Sequence, residues 1–245
     1  MAKIFKVGGC VRDKLLGVKC DDIDFTFVCD NSTTVDEGWE EMVGWLKDNK
    51  FEVFLEVPEC FTIRARFPKE HKFEGLVADF VMARKEVGYI GGTRRPILEL
   101  GTLEDDLIRR DFTINAMAED DEGNLIDLFG GMKHLERGLL VSPQDPNLML
   151  MDDPLRVLRA LRFALTKDLK IGHKLSKAMT NPAVLVKMKE VVSQERIQSE
   201  LNKMLAFDSK KTMQLLVTYD NRELKGILDI VFQNNFHLQI TNKKK

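Results

Sequence analysis

Apolar residues along this chain follow two different spacings, and the change between them divides it in two. Up to about residue 140, short runs alternate apolar and polar residues, the period of strands that bury one face. Residues 4–7 read as such a strand, ended by Gly8 and Gly9. Val11, Leu15 and Leu16 then recur at helical spacing until Gly17 stops the helix. Residues 23–28 read as a second strand, with Ile23, Phe25 and Phe27 on one face and Asp22, Asp24 and Thr26 on the other. A helix over 35–47 carries Met42, Trp45 and Leu46 as its apolar stripe, and 51–57, 61–67 and 76–82 read as three further strands rich in Phe and Val. Residues 84–101, with Gly88, Gly91, Gly92, Arg94, Arg95 and Pro96, read as a mobile loop. Residues 112–118 alternate again and lead through a polar turn into 125–129, which predicts a hairpin.

Beyond about residue 143 the period becomes helical. Asp153 and Pro154 predict a helix start, as cap and first residue, with Leu155, Leu158, Leu161 and Leu165 on one side. Two more helices are expected over 175–188 and 194–205, the latter with Ile197, Leu201 and Leu205 aligned, and 215–232 continues helically. The expected architecture is an α/β part, residues 1–140, with a mixed sheet and flanking helices, joined to an all-helical part, residues 141–245.

Composition excludes more than it selects. Hydrophobic residues make up 44% of the 245, enough for a real core, and the formal net charge of -2 offers no global basic field to attract nucleic acid. Locally, residues 167–211 carry more Lys and Arg than acid, and the chain ends in Lys243, Lys244 and Lys245. That pattern is open either to a phosphate backbone or to a solvated helical face. Cys10, Cys20, Cys29 and Cys60 form no CxxC pair and the histidines are scattered, so neither a zinc site nor a disulfide framework is expected. Reduced thiols fit a cytoplasmic protein. The first ten residues lack the apolar run of a signal peptide, and no stretch is long enough to span a bilayer, so no membrane partner is expected.

The chemistry begins at Asp22 and Asp24. On a strand these two side chains share a face a few ångströms apart, a repulsion that folding does not call for and a divalent cation relieves. An acidic strand face is the plainer reading of a lone DxD. Gly8 and Gly9 upstream, where backbone N–H groups can approach an anion, and Arg12 in the first helical turn favour the phosphate-and-metal reading. Asp79, in an otherwise apolar strand, is the candidate third carboxylate of a two-metal site; an edge-strand Asp is the alternative.

The runs GGCVRDKLLG…DDIDF, LEDDLIRRDFTINAMA and DDPLRVLRALRFA together resemble the bacterial-type (class II) tRNA nucleotidyltransferases and their poly(A) polymerase relatives, of the polymerase-β nucleotidyltransferase superfamily. The likeness covers roughly residues 4–205, in order and at matching spacing. It implies a nucleotidyltransferase head followed by a helical neck, with Asp22 and Asp24 holding catalytic Mg²⁺. Gly8, Gly9 and Arg12 would contact the incoming nucleotide, and Arg110, Asp111 and Asn115 of RRDFTINA would bind it further. Arg110 and Asp111 pairing with each other remains the structural alternative. The resemblance also implies in-line attack of an RNA 3′-hydroxyl on the α-phosphorus of ATP or CTP with release of pyrophosphate. From DDPLRVLR it assigns base reading to Asp153 and Arg156, with Arg159 on the same helix face. A carboxylate accepts from the exocyclic amine of cytosine or adenine while a guanidinium donates to the ring nitrogen beside it, and guanine and uracil mismatch both. Asp152 stands where the family has Glu. Glu195 to Leu201 resembles the later helical motif that supports the template helix.

Relatives of this type continue into further helical domains that grip tRNA, and here that part is expected to be reduced or absent. RNA would then be held by the basic helices, by homodimerisation or by a partner protein. The leading expectation is CCA addition or repair at tRNA 3′ ends. Partial addition of C or A, poly(A) synthesis, and a non-catalytic nucleotide- or RNA-binding derivative are the alternatives.

Overall fold

The computed structural model describes residues 2–20, 22–89, 96–220 and 226–232. The chain separates into two compact units, Met1–Met132 and Lys133–Lys245. The first is built from β1 (Lys3–Val7), α1 (Gly9–Leu15), β2 (Ile23–Val28), α2 (Val35–Asp48), β3 (Glu52–Val57), β4 (Thr62–Arg66), β5 (Val77–Met82), β6 (Arg84–Tyr89), β7 (Pro96–Leu100), α3 (Leu103–Ile108), β8 (Ala118–Glu119) and β9 (Leu125–Ile126). Seven of these strands form one mixed sheet in the order β3-β4-β5-β2-β1-β8-β9, in which β2 and β5 are parallel and the other neighbours antiparallel. The expected mixed sheet with flanking helices is therefore observed.

Its core is aromatic. Phe25 and Phe80, register partners on β2 and β5, stack at 5.3 Å, and Phe51 and Phe67 close on them. Edge and offset contacts of this kind add about 0.5–1.5 kcal/mol per pair beyond burial. Helix α2 begins at a capping box, Thr34 accepting from the Glu37 N–H while Glu37 reaches back. It packs so tightly that a Cβ on Gly38 would lie 2.5 Å from Leu100.

Two strand-level expectations change. Residues 84–101 are a hairpin of β6 and β7, from Arg84 opposite Leu100 to Tyr89 opposite Pro96; Gly91, Gly92, Arg94 and Arg95 lie outside the described residues. Residues 112–118 are not a strand: Thr113–Asn115 form a 3-10 turn, with β8 and β9 pairing beyond it. Both parities of this stretch are buried, Thr113 and Asn115 as well as Phe112, Ile114 and Ala116, so the alternation does not mark an inner and an outer face.

After α4 (Gly131–Glu136), the second unit contains β10 (Leu139–Leu140), α5 (Pro146–Asp152), α6 (Arg156–Thr166), β11 (Lys170–Ile171), α7 (His173–Met179), α8 (Pro182–Val191), α9 (Gln194–Thr218) and α10 (Ile227–Val231). Leu158, Leu161 and Leu165 are buried on α6, as their spacing predicts. The single helix expected over 175–188 is two, because Pro182 cannot continue α7 and Asn181 caps α8 by accepting from the Ala183 N–H. Helix α9 outlasts its expected end, with a kink at Asp208 (φ −157°, ψ 101°) whose carboxylate accepts from the Lys211 N–H and restarts the helix. The helical stretch expected over 215–232 is interrupted: α9 stops at Thr218 and α10 starts at Ile227, while residues 221–225 and 233–245, with the Lys243–Lys245 tail, lie outside the described residues. No helix among the described residues is long and apolar enough to cross a membrane.

Candidate active site

The turn between β1 and α1 needs glycine. Gly8 has φ +78° and ψ −138°, a conformation that costs an L side chain on the order of 1–3 kcal/mol. Its pro-Cβ position lies 2.8 Å from Arg110 Nη1 and 3.8 Å from Asp24 Oδ2, so backbone, guanidinium and carboxylate converge there. Gly9 faces Arg12 at contact distance, its pro-Cβ position 3.4 Å from Nη2.

Arg110 is held from below. Its Nη2 and Nε donate to Asp106 Oδ2 at 2.9 and 3.3 Å, and the same oxygen accepts from the Thr26 hydroxyl at 2.7 Å. Asp106 is buried; burial pushes its carboxyl up, but the Arg110 charge and the hydrogen bonds from Arg110 and Thr26 outweigh this and hold it below the usual range. Arg110 thus pairs with Asp106, four residues back, in place of the Asp111 pairing left open above. Asp106 was not singled out in the sequence, although LEDDLIRR offers the i, i+4 spacing for it.

Arg12 is buried beside Asn115. It donates from Nη1 to Asn115 Oδ1 and from Nε and Nη2 to Asp13. Asn115 Nδ2 in turn donates to Asp111 Oδ1 at 2.9 Å, which also accepts the Phe112 N–H at 2.8 Å. The 3-10 turn makes this linkage, setting Asn115 back beneath α1.

The carboxylates meet through strand register. Parallel pairing of β2 and β5 sets Asp24 opposite Asp79, and antiparallel pairing of β4 and β5 sets Arg64 opposite Asp79. Asp22, Asp24, Asp79 and Arg64 line one cleft of about 480 Å³, with Ile23, Val77 and Ala78 as its floor. Arg64 grips Asp79 with two parallel bonds, Nε to Oδ1 and Nη2 to Oδ2, both 2.7 Å. Asp24 has its proton affinity raised, first by burial and then by Asp79 and Asp22, with Arg110 and Arg64 opposing. A cation in the cleft relieves that excess of negative charge. The donors are hard oxygens, and no group of three or more His, Cys, Asp or Glu among the described residues is arranged to hold a metal. The set fits a hard cation that takes one or two carboxylates and completes its shell with water and phosphate.

Asp153, Arg156 and Arg159 belong to the second unit. Asp153 follows α5 and caps the turn into α6, Oδ1 accepting the Leu155 N–H at 3.2 Å. The helix proper starts at Arg156, two residues after the expected Pro154. Asp153 Oδ2 takes Arg196 of α9 at 2.9 Å. Arg156 donates to the Met149 carbonyl at 3.4 Å. Arg159 lies 3.9 Å from Glu200, a buried acid that also takes Arg162 at 2.5 Å and Lys203 at 3.5 Å. The motif at 195–201 therefore braces the Asp153 and Arg159 positions from α9.

A family model described as Poly A polymerase head domain matches residues 4–141. A multifunctional CCA protein of Pseudomonas fluorescens is 44% identical over 173 residues, 66% of this chain and 34% of that protein. A CCA-adding enzyme of Buchnera aphidicola is 37% identical over 210 residues, 83% of this chain and 44% of that enzyme. The crystal structure of the Bacillus stearothermophilus CCA-adding enzyme in complex with CTP matches with a TM-score of 0.71 at 25% identity, over 92% of this chain and 50% of that one. The chain spans less than half the length of both curated relatives. With its head domain matched from Ile4 to Val141, the chain belongs to the poly(A) polymerase head domain family, within the bacterial-type tRNA nucleotidyltransferase and poly(A) polymerase branch of the polymerase-β superfamily.

Proposed function

We propose that this chain is a template-independent RNA nucleotidyltransferase that adds C and A to the 3′ end of tRNA from CTP and ATP. Residues 1–140 act as the catalytic head and 141–245 as the neck that reads the base. The observation that carries the reading is the convergence of Asp22, Asp24 and Asp79 in one cleft, with Gly8 and Arg110 at Asp24.

Asp22 and Asp24 would hold Mg²⁺, which when bound supplies charge neutralisation for the triphosphate and activation of the attacking hydroxyl. The chain's own groups bind and orient. Gly8 leaves the space that a phosphate oxygen needs beside Arg110, whose charge favours the polyanion. Arg12, Asn115 and Asp111 form a buried support for the nucleotide beyond the glycine turn. Asp79 accepts a hydrogen bond from the RNA 3′-hydroxyl and keeps it in line with the α-phosphorus. On the neck, Asp153 retains acceptor capacity after the Leu155 N–H and Arg196 are satisfied, enough to take the amine of cytosine or adenine, while Arg156 donates to the neighbouring ring nitrogen. Arg159 adds charge on the same helix.

The test is stepwise incorporation on tRNA ending before CCA, after C and after CC, with the Asp22→Ala/Asp24→Ala protein as blank. CMP on the first two acceptors and AMP on the third is the expected result. AMP alone on the third points to an A-adding enzyme, and A runs on any RNA to a poly(A) polymerase. Release of no pyrophosphate with any acceptor overturns the reading in favour of a binding protein.

A further inference from the structure

Resting on that reading, we propose that Arg64 is a positioning residue: it keeps Asp79 out of the cation's coordination shell and fixes it toward the RNA 3′-hydroxyl. The fold sets register partners of three strands in a row. Asp79 of β5 stands between Asp24 of β2 and Arg64 of β4, so the Arg64 guanidinium lines a three-carboxylate cleft. Its grip is of the fork-to-fork kind, two bonds of 2.7 Å, one to each carboxylate oxygen. That geometry is the strongest an arginine makes with a carboxylate, and it fixes the carboxylate plane as well as its position.

A cation bound by Asp22 and Asp24 and a guanidinium bound to Asp79 repel each other, so both cannot draw on Asp79 at no cost. The three carboxylates are thereby divided: two remain for the cation, and one is neutralised and held still. Each Asp79 oxygen still has a lone pair free of Arg64, which suffices to accept from a hydroxyl. The alternation Thr62, Arg64, Arg66 outward against Ile63 and Ala65 inward is what aims Arg64 at this face.

The experiment uses the full chain with Arg64→Ala, Arg64→Lys, Asp79→Asn and the Arg64→Ala/Asp79→Asn double variant. Mn²⁺ binding is read from the loss of the free-ion EPR signal, without nucleotide or RNA. Arg64→Ala removes a positive charge and frees a third carboxylate, so binding tightens on the order of tenfold, the scale of one unit charge a few ångströms from a divalent ion in a water-facing cleft. Asp79→Asn leaves the guanidinium uncompensated and weakens binding, and the double variant returns near wild type. In the incorporation assay, Arg64→Ala lowers kcat by roughly tenfold with KM for nucleotide unchanged. Arg64→Lys, which grips one oxygen as a point charge, recovers part of that loss.

Mn²⁺ binding that is unchanged or weaker in Arg64→Ala, or kcat within about twofold of wild type, overturns the proposal and leaves a surface ion pair. The metal arm needs no transfer activity. A wild-type protein that transfers nothing sinks the functional reading alone, and the wrong sign in Mn²⁺ binding sinks the role of Arg64 alone.

Discussion

Replacing Gly8 with alanine tests the hinge of the site by the smallest available change. Two costs follow from the geometry. The backbone at φ +78° and ψ −138° lies outside the small left-handed basin, in territory that belongs to glycine, so a methyl group imposes strain of about 1–3 kcal/mol. The methyl carbon would also sit 2.8 Å from Arg110 Nη1, at least half an ångström inside contact distance. A free arginine would swing aside cheaply, but Arg110 is tied to the buried Asp106 at 2.9 Å and cannot yield without loosening that pair. At about 2–4 °C per kcal/mol for a chain of this size, strain alone lowers Tm by about 2–12 °C. On the proposed reading the functional effect must exceed the stability effect, because the space lost is where a phosphate would meet Arg110. Incorporation measured well below Tm, where the variant is fully folded, should fall by about 100-fold or more, the scale of a lost electrostatic stabiliser. Gly8→Ala within about 1 °C of wild type and of comparable activity would refute the argument, since neither strain nor crowding would then be present.

Other outcomes follow from neighbouring groups. The folded carboxyl of Asp24 is the weaker acid relative to its ordinary 3.8, so the native state loses stability as pH rises through that value. Asp24→Asn should therefore raise Tm at pH 7, not at pH 3, while abolishing transfer; thermal melts at the two pH values check it. Mg²⁺ at about 100 times its dissociation constant should stabilise the wild type by about 2.7 kcal/mol and the Asp22→Ala/Asp24→Ala protein by nothing measurable, which a Tm titration reads. Asp106 has the opposite sign from Asp24: its folded carboxyl is the stronger acid, so its contribution is complete above pH 3.8 and lost as pH falls through the lower folded value. Asp106→Ala should cost about 3 kcal/mol at pH 7 by urea unfolding and flatten the acid limb. Asp153→Asn keeps an acceptor for the Leu155 N–H and should stay within about 0.5 kcal/mol of wild type, whereas Asp153→Ala loses the cap at about 1 kcal/mol. Both should relax discrimination against UTP and GTP in competition assays.

Much of the architecture was legible because burial on one face forces a period. The strands at Ile23–Val28 and Thr62–Arg66 and the leucine stripe of α6 lie where their spacing predicts. Helix-breaking and helix-starting residues override periodicity at two places. Asn181 and Pro182 break a helix that apolar spacing alone would continue, and Asp145 and Pro146 start α5, which apolar spacing does not mark. Glycine content misdirected in the other sense. Gly101 ends the stretch expected as a mobile loop, yet it closes a hairpin: a Cβ there would lie 2.7 Å from the Arg84 backbone, so the residue permits close pairing instead of looseness. Composition cannot separate those two uses of glycine, because the deciding neighbour is seventeen residues away.

Register is the quantity that alternation does not contain, and the candidate site depends on it. Asp24 meets Asp79 only because β2 and β5 pair in parallel with Phe25 opposite Phe80 one residue on. Slipping β5 by one residue would turn Asp79 into the aromatic core and bring Ala78 or Phe80 onto the cleft face. The stack of Phe25 on Phe80, with rings 13° from parallel, opposes that slip. Antiparallel register of β4 on β5 likewise sets Arg64 against Asp79, so a residue that reads in sequence as the solvent side of a strand becomes the counter-charge of the candidate catalytic row. Packing on the buried face thus fixes chemistry on the exposed one.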